Sequence, residues 1–249
     1  METELLITDV TRMSGDSVCI AGITHQGTTI RPVLPPPGIH ERHLYLSDGA
    51  MIRPRAVIAI ESKPVKAPDP PHVEDHVWYQ PERARFMRLA DESRWRGALE
   101  HMCFPDLASI FEVELTKNRM LSPGEGARSL GTIRARVFDF SYTLKEDDLP
   151  KYRLSFYDLS DEGYFNLPIT DLALRAMVKH LITHSDIGFE NINAHIKSLI
   201  RKPLVYLRIG LTRPFQKTRR DDEMCYLQVN GIYTFPDYLD GKCFADFRL

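Results

Sequence analysis

No run in the chain approaches the roughly 18 consecutive apolar residues that a membrane-spanning helix needs, so no helical anchor is expected. Charge of one sign is also missing. Lys and Arg number 32 against 34 Asp and Glu, a net −2. The chain as a whole is therefore no polyanion binder, and any such role must come from a local patch. Cysteine is sparse. Cys19, Cys103, Cys225 and Cys243 stand far apart, with no Cys-x-x-Cys and no Cys/His pair at zinc-ligand spacing, which argues against a structural zinc. The opening METELLITDV has neither the basic stretch nor the apolar core of a secretory leader, so reduced thiols and a cytoplasmic location are the expectation. No Gly-rich loop precedes a helix in phosphate-binding form, and there is no Gly-x-Ser-x-Gly elbow. No cofactor is expected. What is present is ordinary globular material: 249 residues, 43% hydrophobic and 27% charged, enough for one large domain or two small ones.

The patterning favours strands. Residues 4–12, 18–24 and 28–33 are short β-branched runs separated by Ser14-Gly15-Asp16 and His25-Gln26-Gly27, a meander that the prolines of 34–38 end. Residues 56–61 read as a fourth strand, and 62–81, with five prolines, as a surface loop. Pro81 and the apolar spacing from Phe86 to Met102 predict a helix over 82–102. Strands are expected at 110–116, 133–142, 152–157, 203–212 and 224–234, with a loop at 122–131. Thr170 is placed as the cap of a helix with an apolar stripe from Leu174 to Ile182, and a shorter helix covers 191–201. Many short strands with Gly/Pro turns point to a barrel or sandwich rather than a parallel α/β sheet. A loose repeat pairs Thr11-Arg12, Cys19 and Gly22-Ile23 with Thr212-Arg213, Cys225 and Gly231-Ile232, though the spacings differ.

The densest basic segment is 201–220, with seven cations and no acid: Arg201, Lys202, Arg208, Arg213, Lys217, Arg219 and Arg220. Tyr206 and Phe215 are interleaved, a mixture suited to phosphates and stacked bases. A solvated strand edge, partly neutralised by Asp221, Asp222 and Glu223, is the alternative. Arg12, Arg31, Arg53 and Arg55 form a second group, three arginines of the chain standing directly before a proline. They suit phosphate or a surface ion pair. Gln228, Asn230 and Tyr233 suit base edges, while Asn230-Gly231 also marks a turn or bulge.

Signals for catalysis are weak. Pro236-Asp237 with Asp240-Gly241-Lys242 echoes a Mg²⁺-dependent nuclease, but too few residues separate the carboxylates. Asp106 with Glu112, Glu114 and Lys117 is a fainter echo, and His180 with His184 share a helix face without a third ligand.

The blocks VCIAGIT, TTIRPV, YRLSFYDLSDEGYFNLPITDL, LRIGLTRPF and CYLQVNGIYTFPDYLDGKCFADF resemble the prokaryotic dual OB-containing domain family. The resemblance implies two OB-fold barrels in one unit, a nucleic-acid-binding or sensing role, links to prokaryotic conflict systems, and no catalytic residues to carry over. The expected architecture is thus mostly β (β-rich α+β), with two OB-like small β-barrels packed together, spanning 1–125 and 126–249, and about three helices. The expected partner is nucleic acid, single-stranded DNA or RNA, with a protein partner as a further option and no membrane. The candidate contacts are Arg12, Arg31, Arg208, Arg213, Phe215, Lys217, Arg219 and Arg220. A metal-dependent nuclease or a protein-interaction module is the alternative.

Overall fold

The computed structural model describes residues 2–144 and 149–247. The first unit is a closed barrel. Strands β1 (Glu2–Arg12), β2 (Val18–Ile23), β3 (Thr29–Val33), β4 (Ala56–Pro64) and β5 (Asp75–Tyr79) run in the order β1-β2-β3-β5-β4, and β4 returns to β1. All neighbours are antiparallel except β3 and β5. This is the OB-type arrangement, a five-stranded Greek-key barrel. β1 closes it because it is long enough to serve two partners: Glu2 to Leu6 face β4, and Leu6 to Arg12 face β2. A bulge between Ile7 and Asp9 bends it. Leu5, Ile7, Ile20, Ile30, Ile58, Ile60 and Trp78 fill the interior.

The second unit repeats that plan less completely. Its first strand is broken at Ala135 into β9 (Leu130–Arg134) and β10 (Arg136–Thr143). β9 pairs with β13 (Val205–Leu211), and β10 with β11 (Lys151–Tyr157). β11 pairs with β12 (Gly163–Pro168), and β13 with β14 (Cys225–Thr234). The seam between the third and fifth strands is one parallel bridge, Ile169 to Val229. The bulge recurs too, between Val137 and Asp139. Helices α3 (Leu172–His184) and α4 (Ile192–Ile200) fill the connection between the third and fourth strands. The repeat is therefore one of topology. β1–β2 corresponds to β9/β10–β11, and β4–β5 to β13–β14, so Thr11-Arg12 and Thr212-Arg213 do not occupy equivalent places.

Between the units, β6 (Arg85–Leu89) lies on β4, followed by α1 (Glu92–His101). Then β7 (Cys103–Phe104), α2 (Leu107–Phe111) and β8 (Met120–Leu121) follow, with β7 and β8 pairing onto the second unit's sheet. Residues 103–121 thus add to the second sheet from before position 126. In return, Leu172, Ala173 and Phe244 pack into the first core. No helix among the described residues is long and apolar enough to cross a membrane.

Several local expectations are corrected. The helix expected over 82–102 begins only after Asp91, whose carboxylate accepts from Arg94 N at 2.8 Å; the free edge of β4 draws 85–89 into β6 instead. Residues 110–116 are not a strand. Asp106 caps α2, which buries Leu107, Ile110 and Phe111 and ends at Glu112, where φ is 57°. The proline-rich 62–81 hides β5, whose Trp78 is core. Thr170 does not cap α3. Its hydroxyl donates to β14, and Asp171 accepts from Ala173 N and Leu174 N, an arrangement worth about 1 kcal/mol.

Candidate nucleic-acid interface

The basic segment occupies a specific place in this topology. Residues 212–224 connect β13 to β14, so they form the loop between the fourth and fifth strands of the second OB-like unit. Lys217 Nζ sits 3.7 Å from the centroid of Tyr226, against which Phe215 also packs at 4.8 Å. Phe215 keeps 42% exposure. Arg219 and Arg220 are exposed. The first acid after them is engaged in shaping the loop: Asp221 accepts from Thr218 N at 2.9 Å.

Beside this loop lies the outer face of β10, β11 and β12. Strand alternation puts Tyr152, Leu154 and Phe156 into the core, and so turns Arg153 and Tyr157 outward. On the flanking strands Phe138 and Phe165 share that face. Phe138 lies 4.9 Å from Tyr157 and 5.6 Å from Phe165, which is 49% exposed. Arg136 covers Tyr157 at 5.7 Å and pairs with Asp161. Arg119 joins loop and face, because its Nη2 donates to the Phe165 carbonyl at 3.3 Å. The Lys217 pKa is lowered, first by burial and then by the nearby guanidinium charges of Arg119 and Arg153. A cation cluster thus adjoins a group of open aromatic rings.

Not all the candidate arginines reach this surface. Arg208 is corrected from a contact residue to a structural one. It is 1% exposed, and donates from Nε and Nη2 to both oxygens of Asp9 at 2.9 and 2.8 Å, and from Nη1 to Thr132 at 3.0 Å. Mid-strand on β13, it faces the first unit rather than solvent. Arg31 is likewise buried, donating to Asp75 at 2.6 Å and Ser129 at 3.1 Å. Arg12 pairs with Glu41 and lines a different cleft with Arg175 and Lys179. Of the other N-terminal arginines, Arg53 donates to the Gly241 carbonyl at 3.2 Å and Arg55 to the Ala90 carbonyl at 3.0 Å. Arg213 is half exposed and holds Asp75 at 2.5 Å. The structure therefore brings Lys217 near Arg153 of the aromatic face, with Phe215, Arg219 and Arg220 on the same loop, and sends Arg12, Arg31 and Arg208 elsewhere.

Arg119, Arg136, Phe138, Arg153, Tyr157 and Phe165 were missed by motif reading. The available signal was aromatic and basic residues sharing the polar face of alternating strands. Asn230 is the extra residue of a bulge, lying between the registers Ile209–Val229 and Arg208–Gly231. Gly210 makes room for it, since a Cβ there would meet its Nδ2 at 2.4 Å.

The nuclease-like carboxylates do other work. Asp237 accepts from Leu239 N and Gly241 N, and Glu112 pairs with Arg128. His180 and His184 stack at 5.1 Å on α3. Among the described residues no three His, Cys, Asp or Glu side chains gather closely enough to hold a metal ion. No family model matches the chain, and no curated protein matches it.

Proposed function

We propose that this protein is a nucleic-acid-binding or sensing module that takes a single strand across the outer face of β10, β11 and β12, beside the 212–224 loop. The observation that carries the reading is the coincidence of that loop with the fourth-to-fifth-strand connection of an OB-like unit, next to open aromatics on its second and third strands. In OB folds that face and that loop are where oligonucleotides lie. Cations track phosphates while rings stack bases, a combination that tolerates any sequence. A duplex hides the base faces that Phe138, Tyr157 and Phe165 would stack on, so a single strand fits better. This reading agrees with the resemblance to the dual OB-containing domain family, and membership of a prokaryotic conflict system is proposed on the same ground.

Fluorescence anisotropy with labelled single-stranded DNA, single-stranded RNA and duplex tests the proposal. Binding of a single strand is expected to weaken as salt rises and to weaken with Phe165→Ala. Equal affinity for duplex, or a Phe165→Ala protein that binds unchanged, contradicts it.

A further inference from the structure

The first unit cannot use its own second and third strands in the same way, because the second unit covers them. Between the two lies a cleft of about 210 Å³. One wall is the outer face of β1 to β3, carrying Thr11, Cys19 and Arg31; the other is β13 and β14, with Arg213, Gln228 and Asn230. Arg31 is 5% exposed, and its Nη2 has no hydrogen-bond partner among the described residues. A buried guanidinium N–H left unused is uncommon, because each unmade bond costs about 1–3 kcal/mol. Asp75 holds Arg31 through Oδ1 and Arg213 through Oδ2. Two guanidiniums are thus anchored by one carboxylate, and further donors remain on both.

The facing charges balance overall. Asp9 is committed to Arg208, and Glu74 accepts from Ser129 N, Ser129 Oγ and Leu130 N. The cleft is therefore a directional hydrogen-bonding slot rather than a general cationic trap. Two forked donors fit a phosphate or carboxylate group. Thr212 and Arg213 also belong to the 212–224 loop, so the cleft adjoins the loop beside which the strand is proposed to run. An internal phosphodiester needs room for chain to enter and leave, which a cleft this small between two sheets does not give. A terminal phosphate monoester needs room on one side only, and offers three acceptor oxygens and nearly two negative charges.

We propose that this cleft binds the terminal phosphate of a nucleic-acid strand, with Arg31 and Arg213 as the phosphate ligands and Gln228 beside them. The inference rests on the nucleic-acid reading above and adds recognition of a strand end to it.

The test compares one labelled oligonucleotide in three forms: 5′-phosphorylated, 3′-phosphorylated and unphosphorylated. One phosphorylated form is expected to bind about ten-fold or more tightly than the unphosphorylated form, as befits charge-assisted bonds. The form that gains gives the polarity of the strand. Arg31→Lys keeps the charge and loses the fork; Gln228→Glu is isosteric and places a negative charge in the cleft. Each is expected to abolish the preference while binding of the unphosphorylated strand persists. If all three forms bind alike, the inference fails and the nucleic-acid reading stands. If none binds, both fail. If inorganic phosphate raises the melting temperature of the wild type and not of Gln228→Glu while the three strands bind alike, the cleft takes free phosphate and the strand-end assignment is overturned.

Discussion

The guanidinium of Arg208, 1% exposed, reaches across to Asp9 and Thr132 inside the protein. Removing one side of such a pair costs about 3–5 kcal/mol, whereas removing both is often close to neutral. Arg208→Met is expected to lower the unfolding free energy by that amount in urea titrations, and Arg208→Met with Asp9→Leu to recover much of it. A double variant no more stable than the single one argues against the pair as the cause. Two other buried groups act on the pH dependence with opposite sign. Burial, helped by Arg31 and Arg213, lowers the His72 pKa from 6.5 to about 3. Between these values the unfolded chain binds more protons, so this contribution is complete above pH 6.5 and shrinks as pH falls. Burial raises the Asp171 pKa from 3.8 to about 6, partly offset by three backbone N–H donors. There the folded state binds more protons, so that contribution shrinks as pH rises from about 4 to 6. His43 and His76, whose pKa values burial also lowers, act in the same sense as His72, so the His72 share is read as the difference between His72→Leu and the wild type. From pH 4 to 6 the urea midpoint of His72→Leu is expected to rise less, or fall more, than that of the wild type; an equal or steeper rise in the variant contradicts the assignment.

At the scale of elements, the proposed function assigns different energies to the β13–β14 loop and the β10–β12 face. Loss of a stacked base is worth about 1–3 kcal/mol, so Phe165→Ala is expected to weaken binding by that much at every salt concentration. Loss of phosphate contacts acts through released counterions. Alanine at Lys217, Arg219 and Arg220 together is expected to reduce the slope of log affinity against log salt by about 2, at roughly 0.7 per contact for a single strand. An unchanged slope places the phosphates elsewhere. The loop was legible in the sequence because seven cations without an acid stand out. Arg208 was not separable from its neighbours, since its burial depends on Asp9, 199 positions away. The aromatic face was only half visible. Within 133–142, Ile133, Ala135 and Val137 alternate with Arg134, Arg136 and Phe138, which sets the latter on one face, but strand pairing is needed to place Tyr157 and Phe165 beside them. Local pattern failed where tertiary pairing decides: β6 looked helical until the edge of β4 recruited it, and β5 was masked by the prolines that flank it. Asp106 and Asp171 show the same limit at helix starts, where which polar side chain caps depends on what its neighbours already bond.

The whole molecule is two copies of one strand order used in two ways. The first unit closes fully and gives its outer β2–β3 face to the inter-unit cleft. The second closes through a single bridge and leaves the corresponding face to solvent. On the proposed reading, that division assigns binding to the second unit and makes the first its buttress; Arg208 and Asp9 join the two. Hydrogen exchange with and without a saturating single-stranded oligonucleotide tests this most directly, because it reports every region of the chain at once. Slowed exchange is expected in residues 151–168 and 212–224, with the β4–β6 side of the first barrel unchanged. Protection confined to the first unit, or none in those two segments of the second, contradicts the account.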